Sequence, residues 1–431
     1  MLIGIAHRDI TPEHPVWLSG YAFRTELSTG VYAPLKAGAI YLEADDGSDR
    51  ALILTSDHIG YSPPADARMR QALAIATGLL PRQIVLTATH THCGPVISPW
   101  FMPGEIEVEY VKFLQSRLVE AAQEAMGNAL QGTVALTRSL STFGVNRRLP
   151  DSQGIAVMKP NPEGPIDRDL DTLWFTADSG ALLGSLTVYG CHPTSLGGNE
   201  VGPDYPGFLC EHLGSETGAP AFFCLGCAGD VRPWFRPQEG DGFLRPSLDE
   251  LRGAAVELAN EVIEGRSAPR LSASGSGVAI DHLIHGLPYA SLPDRIELAS
   301  AQDDHDPWIA MWGKAMLNQL DHGPLPQACP HEIQLLRLSD ELQLLFLGGE
   351  VLSEIGMGLK QMLALTTTVT IAYSNGLIAY IPGADTYDLG GYEVDGSHHY
   401  FCRPAPFHRS SEQRIREQTQ VLSDRFSARA G

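Results

Sequence analysis

Two histidines one residue apart, His90 and His92, follow the apolar run Ile84-Val85-Leu86 in the stretch IVLTATHTHCGP. Side chains alternate faces along a strand, so a strand continued through this stretch turns both imidazoles one way and Thr89 and Thr91 the other. Imidazole is both a common metal ligand and the side chain that titrates nearest neutrality, and the pair reads equally as a reactive site or as two hydrogen-bonded structural histidines. Further ligands must come from elsewhere. His192 stands in GCHPTS at the end of the β-rich run Leu186 to Tyr189, fixed by Pro193. The apolar run Ala221 to Leu225 opens into GCAGDVRPW, with Asp230 and Arg232. Leu342 to Leu347 ends at Gly348-Gly349-Glu350, and Thr368 to Tyr373 runs into Ser374-Asn375-Gly376 and a stretch holding Tyr380, Tyr387 and Tyr392. Two or three histidines and a carboxylate with an open position form the ligand set of a catalytic zinc, which acidifies a bound water toward a pKa of ~7. That chemistry is hydrolysis.

The elements that must position these groups alternate between strand and helix. Strands are expected at Ala37 to Leu42, Ala51 to Thr55, Thr133 to Leu136 and the runs above. Helices with 3.6-residue apolar spacing are expected at Ala65 to Leu79, Ile106 to Ala129, Leu248 to Ile263, Trp308 to Leu320 and Ser411 to Ser427. The expected fold is therefore α/β: a mixed, mostly buried β-sheet with helices packed on its faces and the active site at strand ends, as one domain over residues 1–431. Asp57 follows the second strand as either a carboxylate supporting the site or a helix cap. Asp204 stands near the N-cap of a short helix. Asn146, Arg147 and Arg148 in FGVNRRLP read as a solvated loop, and Asp303-Asp304-His305-Asp306 as a capping segment, because consecutive residues at a helix start do not converge on one ion.

Composition narrows the partners. Hydrophobic residues make up 43% and charged residues 19%, values of an ordinary globular chain, and no apolar run reaches membrane-spanning length. A net charge of −21 argues against a phosphate-backbone partner, which needs clustered cations. Seven cysteines, an odd number, give no disulfide framework, and the lone CxxC of Cys224 and Cys227 reads as buried thiols. Met1 leads straight into Leu2-Ile3-Gly4-Ile5-Ala6 without a secretory pattern, which fits a cytoplasmic chain or the mature form of an exported one.

The motifs THTHCGP, GCHPTS, GCAGDV, GGE and YSNG with its downstream Tyr and YE resemble, in the same order and over nearly the whole chain, the catalytic domain of the neutral, non-lysosomal ceramidases. The resemblance implies an α/β amidase with one zinc per chain held by His90, His192, Glu350 and Tyr380. It implies that His92 is the general acid or base, and that Arg147 (with Arg148 as competitor) and Tyr392 stabilise the oxyanion. Two motifs depart from the pattern: Arg232 stands where the ceramidases carry serine after GDV, and Tyr392-Glu393-Val394-Asp395-Gly396-Ser397 where they read YEGAS. The chain also ends where those enzymes continue into a C-terminal β-sandwich. The expected substrate is accordingly a small molecule, smaller or more polar than ceramide, with Arg232, Asp230 and Asp204 as candidate binding residues. The same site would serve an ester, lactone or sugar-derived substrate. A purely structural zinc is the remaining reading, though such sites are closed and usually cysteine-rich.

Overall fold

The computed structural model describes residues 1–237, 240–267, 271–273 and 277–430. The fold is mixed α/β, built on two sheets. In the larger sheet the strands run in the order Ala221–Leu225, Leu182–Tyr189, Asp169–Ala177, Leu130–Leu140, Leu2–Asp9, Lys36–Glu43, Arg50–Ser56 and Ile84–Ala88, with Leu271–Ala273 also pairing with Leu130–Leu140. Pairing is antiparallel through the middle and parallel only at the two ends, between Leu182–Tyr189 and Ala221–Leu225 and between Arg50–Ser56 and Ile84–Ala88. The smaller sheet runs Ala279–Pro288, Ala328–Arg337, Leu342–Leu347, Thr367–Ile371, with the last pair parallel.

Alternation along the strands explains the layers. Ala37, Ala39 and Tyr41 face helices Pro63–Thr77 and Val108–Gly127, while Ile40, Leu42, Ile53 and Val85 face the smaller sheet through Leu336, Leu344, Phe346 and Val369. Every residue of Ile84–Ala88 is therefore buried, which is why this strand reads as an unbroken apolar run. Helices Asp204–Thr217, Leu248–Gly265, Ser353–Met362 and Ser411–Ala430 contribute to a further core on the remaining side. Among the described residues no helix is long and apolar enough to cross a membrane.

The large sheet curls until its end strands approach: Thr55 Oγ1 donates to the carbonyl of Phe223 at 2.6 Å, and Thr87 Oγ1 lies 3.2 Å from Cys224 Sγ. Residues 372–375 bridge the gap, Ala372 N donating to Leu225 O on one side and Ala88 N to Tyr373 O on the other. Asn375, at φ +54°, completes the seam. Its N and Oδ1 bond Leu86 O and N, while Nδ2 donates to Gln334 of the smaller sheet. A left-handed backbone with an extra side-chain acceptor is a conformation asparagine tolerates well.

Several expectations change. FGVNRRLP is a strand, Gly144–Pro150, paired with Ala156–Asn161 and Val231–Pro233, not a solvated loop, and Arg147 and Arg148 are buried. Asp57 caps no helix; it accepts from Lys36 N at 2.7 Å and Thr89 Oγ1 at 3.0 Å. The capping reading of 303–306 holds, since Asp306 accepts from Trp308 N at the start of Pro307–His322. All seven cysteines are free, with Cys224 and Cys227 buried.

Candidate active site

The carboxyl ends of four strands meet at one point beside the seam. Ile84–Ala88 stops before the histidine pair, and His90 has φ +65°, so the two imidazoles converge through a turn and not through strand alternation. The same-face prediction thus reached the right result for the wrong reason. Nε2 of His90 and of His92 stand 3.3 Å apart, and the ligand nitrogens of His90, His92 and His192 all lie within 4.8 Å of one another. Leu182–Tyr189 delivers His192. Leu342–Leu347 delivers Glu350 through Gly349, whose φ of +105° and 3.0 Å approach of the Ala379 carbonyl leave no room for a Cβ. The two-residue strands Glu350–Val351 and Tyr380–Ile381 pair in parallel with Glu350 opposite Tyr380, which brings these two side chains to the same place.

The distances fit a tetrahedral ion. Ligand atoms around a zinc with bonds of about 2.0–2.1 Å stand about 3.3–3.4 Å apart. Glu350 Oε2 lies 3.0 Å from His192 Nε2 and 3.5 Å from His90 Nε2, and the Tyr380 hydroxyl lies 3.5 Å from His192 Nε2. The outer nitrogens also distinguish the histidines. His90 Nδ1 donates to Ile59 O at 2.5 Å and His192 Nδ1 to Ala228 O at 2.6 Å, which fixes both tautomers with Nε2 facing the group. His92 Nδ1 is buried without a protein partner. Burial pushes His90 down to about 4 against the opposing pull of Glu350, and pushes His92 and His192 well below their ordinary value. Neutral imidazoles are the ligand form.

Arg147 and Arg148 separate clearly. Arg147 Nη2 donates to the Tyr380 hydroxyl at 3.1 Å and its Nε to Glu393 at 2.8 Å. Arg148 also pairs with Glu393, but its other bonds go to the carbonyls of Gly390 and Thr386, away from the histidines. A bulge between Asn146 and Arg148 lets neighbouring residues reach one carboxylate. Tyr392 lies with its ring 5.5 Å from Tyr380, and the residue is 37% exposed.

The two aspartates are not brought into the group. Asp230 accepts from Ser353 N, Ser353 Oγ and Asn146 Nδ2, and Asp204 from Ser195 N, Ser195 Oγ, Leu196 N and Tyr205 N. Arg232 pairs with neither. Its Nη2 donates to Thr194 O at 3.1 Å and its guanidinium lies over Phe243 at 4.3 Å. Three residues at the site escaped sequence reasoning. Tyr373 is fully buried, with its ring 4.4 Å from His90 and its hydroxyl 3.4 Å from Glu350. Glu393 holds both arginines, and Tyr21 lies with its ring 4.9 Å from His92. Only the YE motif gave any hint of Glu393; the tyrosines look like packing residues.

The fold is similar to that of the neutral ceramidase from Pseudomonas aeruginosa, with a TM-score of 0.75 and 18% identity over 97% of this chain and 73% of that one. A structure of a ceramidase complexed with C2 matches with the same score and identity, over 96% of this chain and 73% of that one. No protein-family model and no curated protein matches the chain. At this identity the likeness establishes the fold, the one expected from the ordered motifs.

Proposed function

We propose that this chain is a divergent member of the neutral ceramidase family, a zinc-dependent hydrolase of an amide or related acyl bond, with one zinc per chain and a substrate smaller or more polar than ceramide. The reading rests on the convergence of His90, His192, Glu350 and Tyr380 at tetrahedral-edge distances, with Arg147 and His92 directly beside them. These four residues hold the ion. When bound, zinc supplies Lewis acidity at the substrate carbonyl and acidifies water enough for attack near neutral pH.

The chain's own residues do the rest. His92 accepts the proton of the attacking water at Nε2 and returns it to the leaving nitrogen. Its unpartnered Nδ1, against the tethered Nδ1 of His90 and His192, supports a proton-carrying and not a ligating role. Arg147 Nη2 and the Tyr392 hydroxyl donate to the oxygen that gains charge as the carbonyl becomes tetrahedral. Glu393 restrains Arg147 in that position. Asp230 and Asp204 are positioning residues: Asp230 ties the Arg147 strand to helix Ser353–Met362, and Asp204 ties the loop after His192 to helix Asp204–Thr217.

Metal analysis with acyl-hydrolysis assays tests the reading. One zinc per chain is expected in the wild type and none in His192→Ala, with the circular dichroism of the two alike. His92→Ala is expected to keep zinc and lose about 10²-fold or more in kcat. Full zinc in His192→Ala would overturn the ligand assignment, and zinc loss in His92→Ala would exchange the roles of the two neighbours.

A further inference from the structure

The surroundings of Tyr21 hold more positive charge than the rest of this acidic chain would lead one to expect. Arg24 is 5% exposed, lies over the Tyr21 ring at 4.9 Å, and donates only to the carbonyls of Ser19 and Gly198 and, at 3.9 Å, to Cys93 Sγ. Arg245 lies over Tyr21 at 5.4 Å and over Phe23 at 5.2 Å, with no side-chain hydrogen bond among the described residues. Arg232 reaches the same place, since its Nη2 donates to Thr194 O, which stands 3.5 Å from the Tyr21 hydroxyl; that hydroxyl donates to the neighbouring Leu196 O at 2.9 Å. Among the described residues none of the three forms an ion pair, although the chain carries 51 acidic residues against 30 basic ones. Fixed guanidinium groups partly withdrawn from water are costly unless paired.

A second observation points the same way. Among the described residues Arg24 Nε, Arg232 Nε and Thr194 Oγ1 are buried without a hydrogen-bond partner; Arg24 lies over Tyr21, and Thr194 O accepts from Arg232 with the Tyr21 hydroxyl 3.5 Å away. Buried polar atoms in native folds are nearly always satisfied, so a cluster of orphans with a net positive charge marks a ligand surface. Tyr21 is the link to the chemistry: its ring is 4.9 Å from His92, stacks on Phe23 at 5.0 Å and lies under the guanidinium groups of Arg24 and Arg245.

We infer that Arg232 and Arg245, backed by Arg24, form an anion-recognition mouth, and that the substrate carries a carboxylate or phosphate about one aromatic ring's width from the bond cleaved. This rests on the hydrolase reading of the same site and narrows its substrate class. A planar guanidinium matches both anions in a bidentate way, and Phe243 and Phe23 hold the two groups by stacking. Neutral lipid amides offer nothing to pair with these cations.

The test is calorimetric binding, to metal-free and zinc-loaded full-length protein, of matched ligands: N-acetylglycine against N-acetylglycinamide, and O-phospho-N-acetylethanolamine against N-acetylethanolamine. At least one anion is expected to bind about tenfold or more tightly than its neutral partner, with the two pairs deciding between carboxylate and phosphate. Arg232→Gln should abolish most of that preference. Arg245→Gln, at an exposed position, should weaken it without risk to folding. Equal binding of charged and neutral partners, or no binding of either, would overturn the inference. Hydrolysis of the neutral amides would then leave the hydrolase reading standing. Anion preference without cleavage of any amide by the zinc-loaded protein would instead keep the mouth and remove the reaction.

Discussion

Tyr392 offers the most direct test at the scale of a single residue. Among the described residues its hydroxyl has no hydrogen-bond partner and the residue is partly exposed, so removing one oxygen leaves the packing intact. Tyr392→Phe is expected to lower kcat by about 10²-fold while KM changes little, because the donor acts on charge that develops only in the transition state. Steady-state kinetics check this, and an effect confined to KM would make Tyr392 a substrate-binding residue. Single residues were legible where their chemistry is unusual at a strand end: His90, His192 and Glu350 all stand out in that way. Tyr373 was not legible, because a buried tyrosine after a strand looks like core until its left-handed φ of +54° and its contact with Glu350 are seen. Arg147 was legible only through motif resemblance, since two adjacent arginines imply solvent unless a carboxylate such as Glu393 is known to await them.

Among elements, the turn around Gly20 positions a reactive group from outside the strands. Gly20 has φ +99°, and a Cβ there would stand 2.4 Å from His92 Nδ1. Gly20→Ala is expected to push the imidazole aside, keeping zinc and lowering kcat on the order of 10²-fold, the effect of misplacing a catalytic group by about an ångström. Unchanged kcat with normal metal content would show that this turn does not set the ring. The sequence carried the elements with strong periodicity: the predicted helices lie within two residues of Pro63–Thr77, Val108–Gly127 and Leu248–Gly265. It did not carry Gly144–Pro150 or Asp169–Ala177, whose buried polar residues break the apolar pattern and find partners distant in the chain, Asn146 with Asp230 and Asp171 with Arg138. The seam made by residues 372–375 was equally hidden, because its partners belong to strands on both edges of the large sheet.

Over the whole molecule, one buried ionic bridge joins a helix on the large sheet to the smaller sheet. Arg70 of Pro63–Thr77 bonds Asp66 on its own helix and Glu332 on Ala328–Arg337, at 2.7 and 2.5 Å. Burial raises the Glu332 pKa, but the hydrogen bond from His282 and the charge of Arg70 outweigh it and hold the group down to about 2. A carboxylate held below its ordinary value of 4.5 contributes stability that is complete above pH 4.5 and is lost as pH falls toward 2. Asp66, pushed up to about 6 by burial, runs the other way over pH 6 to 4. Glu332→Gln should therefore flatten the acid limb of stability below pH 4.5 and, by removing a neighbouring negative charge, reduce the opposing Asp66 slope above it, read as denaturation midpoints across pH. An unchanged acid limb would show that the bridge does not couple the sheets to pH. The α/β class follows from the sequence, but the division into two sheets rests on long-range pairings that periodicity does not encode.

The parallel pairing of Glu350 with Tyr380 has a consequence for assembly. His90 and His192 follow strands of the large sheet, whereas Glu350 and Tyr380 open two short strands that pair with each other and follow strands of the smaller sheet. A chain in which these parts have separated would not present the four side chains together, so the free energy of any ion bound by them would also be free energy of holding the parts together. An ion held there would act as a latch on this remote part of the chain, and chelation is expected to lower its stability first, read as hydrogen-exchange protection at residues 350–351 and 380–381 with and without chelator.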